Sequence, residues 1–187
     1  MIRTSETHPL QIADIKTQQV AGKIGITFCP GKHDNMALSG QWKRDLVTDL
    51  TAIKNWGAKL VLTLIEPYEL KILKVPLLGD EVQRLGMIWV HLPIHDYCVP
   101  SETFEENWQI YGKYIRTRLR NGENIVIHCK GGLGRAGMIA ARLLAELGVD
   151  PERAIRLVRM ARSGAIETPG QLALVRKTKP IIDDIKE

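Results

Sequence analysis

The chain has 187 residues, 44% of them hydrophobic and 25% charged, with a formal net charge of +5, a composition suited to one folded domain with a real core. No run of about 18 apolar residues is present, which excludes a helical membrane span. The three cysteines, Cys29, Cys98 and Cys129, are too widely spaced for paired zinc ligands and too few for a secreted disulfide framework. Basic and acidic residues interleave without a long Lys/Arg run, so nucleic-acid binding has little support, whereas a mild positive excess suits anionic ligands.

In chain order, Met1 to Lys16 is polar and lacks the apolar stretch of a signal peptide. It reads as a loose N-terminal arm (1–16) on a cytoplasmic protein. Lys23–Phe28 is a short strand ending at Cys29-Pro-Gly. Gln41–Trp56 carries Leu46, Leu50 and Ile53 at helical spacing, with Ser39 as the candidate cap and Gly57 as the stop. Lys59–Ile65 is a near-continuous apolar run, expected of a strand covered on both faces. Pro67–Leu73 and Leu77–Leu85 are short helices, and Met87–Leu92 is a strand halted by Pro93. Thr103–Arg120 is a long helix with Gly122 beyond it. Asn124–His128 is a buried strand, and Arg135–Leu147 an Ala- and Leu-rich helix closed by Gly148. Pro151 opens a helix running to about Arg162, and a last helix spans Pro169 to Asp184. Strands alternating with helices predict an α/β single domain, 1–187, with a central, mostly parallel sheet flanked by helices. In such sheets ligands sit at the carboxyl ends of the strands.

That edge is where VIHCKGGLGRAG, Val126 to Gly137, falls. Gly131, Gly132 and Gly134 let the backbone turn tightly and approach a ligand, and the amides from Lys130 through Leu133 to Arg135 are placed to form a nest for an anion. The helix that begins at Arg135 adds its positive end. Arg135 itself is a planar two-pronged donor matched to phosphate oxygens, and Lys130 supplies further charge. In that field Cys129 is expected to ionise to a nucleophilic thiolate. A GxxxxGK[ST] nucleotide loop does not fit, because no Lys-Ser/Thr follows the glycines.

The ordered set of strand, His-Cys, glycines, Arg and helix resembles the His-Cys-(five residues)-Arg signature of the cysteine-dependent protein tyrosine and dual-specificity phosphatases. It is most similar to the cyclin-dependent-kinase-associated phosphatase family. Thr27–Gly31, Pro93–Asp96 and Ser163–Thr168 with Gln171 resemble segments of that family in the same order, over roughly residues 24–174. The resemblance implies the cysteine-phosphatase fold and hydrolysis of phosphotyrosine, phosphoserine or phosphothreonine through a cysteinyl-phosphate. It implies no cofactor and no metal, and a phosphorylated protein, a kinase included, as partner.

By the same resemblance, Cys129 attacks phosphorus and Lys130, Gly131, Gly132, Leu133, Gly134 and Arg135 bind phosphate. Asp96, on a loop between two prolines, protonates the leaving group. His128 orders the loop. Gln171 helps position water, with Glu167 and Thr168 lining the pocket. The chain departs from the pattern at Ala136, where the family commonly has Ser or Thr donating to the sulfur, so slower phosphoenzyme breakdown is expected. Lys130 resembles the Cys-Lys-Ala-Gly variants that act on very acidic or phosphoinositide substrates. Cys98 reads as a free loop thiol, with oxidative pairing to Cys129 as the alternative; Cys29, His91 and His95 read as structural. Two other functions stay open: a phosphoinositide or small-molecule phosphatase, and a slow phosphate-binding module. A rhodanese-type sulfurtransferase fits poorly.

Overall fold

The computed structural model describes residues 1–182. Among these, five strands form one sheet. In chain order they are β1 (Ala13–Ile15), β2 (Ile24–Thr27), β5 (Ala58–Thr63), β6 (Ile88–His91) and β7 (Asn124–His128), arranged in space as β1-β2-β7-β5-β6. The strands β2, β7, β5 and β6 are parallel, and only the edge strand β1 runs against its neighbour. β7 lies at the centre, with Ile125–His128 fully enclosed, which is why its sequence is apolar without alternation. A second, two-stranded sheet pairs β3 (His33–Asp34) with β4 (Trp42–Lys43).

Helices cover this sheet. α1 (Leu46–Trp56) and α3 (Leu78–Arg84) pack on each other and reach β5 and β6. α5 (Gly134–Glu146) lies on β2 and β7, with α6 (Pro151–Ala161) and α7 (Pro169–Lys177) against it. The short α2 is Pro67–Ile72 and the long α4 Glu102–Arg120. α4 is fastened to α5 by buried polar contacts. Trp108 Nε1 donates to Glu146 at 2.9 Å, and Arg116 pairs with the same carboxylate. Arg142 forks onto Glu105 with two 2.7 Å bonds. Buried charges are tolerable only when so paired, and the result fixes the axis of the helix that faces the site.

The α/β class and the parallel sheet agree with the sequence reading, but three local expectations are corrected. The helix expected over Gln41–Trp56 starts at Leu46, because Asp45 accepts from Thr48 N at 2.7 Å as its cap. Ser39 instead accepts from Trp42 Nε1, and Trp42–Lys43 is strand. The segment read as a loose arm is docked. Ala13–Ile15 pairs with Ile24–Ile26, and Arg3 exchanges backbone bonds with Gln41 and Lys43. The carbonyls of Thr4 and His8 accept from the buried Arg44 guanidinium. Two physical needs hold it there: β2 requires a partner on its outer edge, and Arg44 requires acceptors beyond Asp49. The last helix stops at Lys177 rather than continuing, since Pro180 biases its predecessor away from helix; the expected end at Asp184 lies outside the described residues.

Candidate active site

β7 delivers Cys129 to the carboxyl edge of the sheet, beside the ends of β2 and β5. The loop that follows is fixed through its carbonyl oxygens. Cys129 O faces His128 Nδ1 at 3.2 Å. Lys130 O accepts from Cys29 N and from Lys32 Nζ, both at 3.2 Å. Arg162 reaches across to Gly131 O at 2.9 Å and Gly132 O at 3.1 Å. Leu133 O accepts from Gly137 N and Ile166 N. Every carbonyl from Cys129 to Leu133 is thus held by protein outside the loop. These bonds fix the orientation of each peptide plane in the loop, so its amides cannot turn freely. α5 begins at Gly134 with no side-chain cap and no acid in its own first turn, and its first residues, Gly134 and Arg135, line the cavity. Gly132 has φ +68°, and a Cβ there would stand 2.6 Å from the Thr27 carbonyl, so only glycine fits.

Arg135 is 2% exposed and aimed by Glu69, a residue that sequence reasoning missed. Its Nη1 donates to Glu69 Oε2 at 2.7 Å and to Ile94 O at 3.0 Å, and its Nη2 to Glu69 Oε1 at 2.9 Å. Glu69 is itself buried and accepts from Glu66 N, the capping box of α2. Glu66-Pro-Tyr-Glu is a legible helix start, but nothing local says that its last carboxylate serves an arginine 66 positions away. The remaining side of Arg135 faces Asp96, with Nη2 3.1 Å from Oδ1. The Asp96 loop is anchored by Ile94, whose N–H donates to Leu64 O. Tyr97, next to the acid, has φ +60°, a left-handed conformation uncommon for an aromatic residue.

His128 is fully enclosed, and burial pushes its pKa down to about 4. The neutral ring fits the hydrogen-bond chain around it. Trp89 Nε1 donates to Thr63 Oγ1 at 2.8 Å, and Thr63 Oγ1 lies 2.7 Å from His128 Nε2. The hydroxyl therefore gives its proton to Nε2, and Nδ1–H points at the Cys129 carbonyl. Cys29 is fully buried and its thiol pKa is raised by burial; Cys98 is exposed, and all three thiols are free. His91 Nε2–H donates to Ile65 O at 2.7 Å, and His95 lies against Glu66.

Gln171 and Thr168 both make hydrogen bonds at the corner before α7. Thr168 caps α7, accepting from Gln171 N. Gln171 is fully buried. Its Oε1 takes the amides of Glu167 and Thr168, and its Nε2 reaches Cys98 O at 3.3 Å. It thereby ties the corner before α7 to the loop that carries Asp96. Glu167, at that corner, brings its carboxylate close to Gly134 at the start of α5, where a Cβ on Gly134 would meet its Oε2. Desolvation and the nearby Asp96 carboxylate raise its pKa, against the Gly134 amide and Arg135. Two carboxylates thus rest on the anion cradle, Asp96 on the guanidinium and Glu167 on the helix amide. Both line a cavity of about 630 Å³ together with Cys129, Lys130, Gly131 and Arg135. The structure brings the cysteine, arginine, aspartate and loop glycines to one place, and adds Glu69, Arg162 and Lys32 as supports.

Comparison with known proteins gives a consistent neighbourhood. A family model described as "Tc-R-P: Polymorphic toxin system, DSP-PTPase phosphatase" matches residues 38–148. The chain is 36% identical over 169 residues to rat cyclin-dependent kinase inhibitor 3, covering 87% of this chain and 76% of the relative. It is 31% identical over 137 residues to mouse protein tyrosine phosphatase type IVA 3, covering 72% of each. Among solved structures, kinase associated phosphatase with its catalytic-site cysteine replaced by serine superposes with a TM-score of 0.78 at 29% identity. That match covers 91% of this chain and 94% of the other.

Proposed function

Because the chain belongs to the dual-specificity and tyrosine phosphatase family, a family of phosphoprotein hydrolases, we propose that Cys129, Arg135 and Asp96 carry its reaction. The observation that supports this most is the tethering of every carbonyl in the Cys129–Leu133 loop, in front of the cavity that Arg135 and Asp96 line. Fixed amides need no reorganisation when negative charge develops in front of them. A phosphoryl group entering the cradle displaces Glu167 from the Gly134 amide and Asp96 from Arg135. The Cys129 thiolate attacks phosphorus in line with the ester oxygen. The S–P bond forms as the P–O bond breaks, and Asp96, swung off Arg135 and protonated, gives its proton to the departing oxygen. In the second half, Asp96 takes a proton from water, the water oxygen attacks phosphorus, and the thiolate and inorganic phosphate are released. Glu69 keeps Arg135 in plane throughout, and Gln171 acts as a positioning residue for the two walls that carry Glu167 and Asp96. A phosphorylated kinase is the substrate class that the relatives' names favour.

Hydrolysis of p-nitrophenyl phosphate tests the assignment. Cys129→Ser lowers kcat by about 10⁴-fold or more, the scale on which nucleophile removal acts. Asp96→Ala lowers it by about 10²- to 10³-fold, the usual worth of a general acid. Wild-type turnover in Cys129→Ser sinks the reading.

A further inference from the structure

The cavity over Cys129 does not end at the phosphate cradle. It adjoins a second cleft of about 510 Å³, and Asp34, Met36, Trp42 and Lys130 form walls of both. The two clefts together are far larger than one phosphoryl group needs. Among the described residues, the second is lined by Lys43, Lys74 and Lys130 against a single carboxylate, Asp34. Asp34 is 7% exposed; its Oδ2 has no hydrogen-bond partner and lies 3.5 Å from Lys130 Nζ. That pairing offsets one of the three lysines and leaves the cleft cationic. Its apolar side is Ile72, 60% exposed, and Met36, 89% exposed. The floor is firm, since His33 N–H donates to Leu73 O at 2.9 Å and joins β3 to the end of α2.

Lys74 is the most telling member. It stands just past α2 with φ +59°, a position where glycine would be unstrained. A lysine held in the left-handed region costs free energy that the fold does not need to spend for its helix end. What it gains is a cation in the lining of the cleft.

We propose that this cleft binds acidic residues flanking the phosphorylated residue of a polypeptide substrate, with Lys43 and Lys74 receiving the carboxylates and Ile72 and Met36 an apolar side chain between them. The proposal rests on reading the site as a protein phosphatase. Three cations against one acid, open to solvent and continuous with the nucleophile, select a negatively charged extended segment over a neutral one.

The test uses fluorescent phosphotyrosyl and phosphothreonyl peptides with either acidic or neutral flanking residues. Their binding to the Cys129→Ser protein is read by anisotropy, with and without Lys43→Glu and Lys74→Glu. Hydrolysis of p-nitrophenyl phosphate by the otherwise wild-type double variant is the control for folding and chemistry. The acidic peptide should bind about tenfold more tightly than the neutral one, and the double variant should erase that difference. Raising salt from about 50 to 300 mM should erode it as well. Hydrolysis of the small ester should stay within about twofold of wild type. Equal binding of the two peptides, or an acidic preference untouched by the double variant, overturns the cleft. So does tighter binding to vesicles with about 30% phosphatidylserine than to the acidic peptide. If the small ester is not hydrolysed by wild type while the acidic preference holds, the cleft stands and the catalytic reading fails.

Discussion

Two loops meet over the same phosphate cradle, and they are held in opposite ways. The loop from Cys129 to Leu133 has each carbonyl bound from outside, by His128, Cys29, Lys32, Arg162, Gly137 and Ile166. The loop from Pro93 to Pro100 is anchored through Ile94 and Cys98, and leaves the Asp96 side chain 39% exposed on Arg135. The first loop spends its positive φ on a glycine, Gly132, and the second on Tyr97. On the proposed mechanism the contrast is a division of labour. Charge stabilisation demands dipoles that are already in place, whereas a proton donor must leave one partner for another within a single turnover.

The strongest way to break this contrast is to loosen the rigid side. Gly132→Ala forces a Cβ to 2.6 Å from the Thr27 backbone at φ +68°, and should cost about 4 kcal/mol of stability and about 10²-fold or more in kcat/KM. Gly131→Ala, one residue earlier, meets nothing within 4 Å, and should stay within about threefold of wild type. Chemical denaturation and ester hydrolysis of both variants decide it, and equal effects would remove the rigid-loop argument.

Acid provides a second way. His128 has a folded pKa of about 4 against an ordinary 6.5, so the unfolded chain binds more protons between these values. Its contribution is complete above pH 6.5 and is lost as pH falls toward 4, roughly 3 kcal/mol in total. Urea titrations across that window should show the decline, with a flatter profile in His128→Asn. An identical slope in the variant would place the acid sensitivity elsewhere.

The smallest expected effect lies at the helix start. Ala136 is fully buried in the first turn of α5. Restoring a hydroxyl with Ala136→Ser should speed phosphoenzyme breakdown by about tenfold through one charge-assisted hydrogen bond. Rapid-quench measurement of the intermediate checks this, and an unchanged level in the two proteins contradicts it.

The two loops also differ in how much of them the sequence discloses. The strand, glycines and arginine from Asn124 to Arg135 are contiguous, so their chemistry can be read from local pattern. Asp96 was legible because a strand end between two prolines places it on the right edge. Glu69 and Arg162 were not, since their partners lie 66 and about 30 positions away and no local signal records such pairings. Gln171 is given a water-positioning role by resemblance; its Thr168-x-x-Gln171 spacing is also a capping box, a local use that the sequence reading did not recognise. Strands of two or three residues, such as β3, β4 and β1, are too short for a period to emerge. Their pairing is decided by Arg44 and by the edge of β2, both tertiary effects.

If the proposed mechanism holds, the Asp96 and Glu167 carboxylates beside Arg135 and Gly134 bear on how a catalytic cycle closes. A nest this well furnished with donors would, left bare, cling to inorganic phosphate after every round. With two resident acids ready to reclaim the guanidinium and the helix amide, the departing anion meets competition at each contact it gives up. On that mechanism, exit is eased without weakening the donors that the chemistry itself requires.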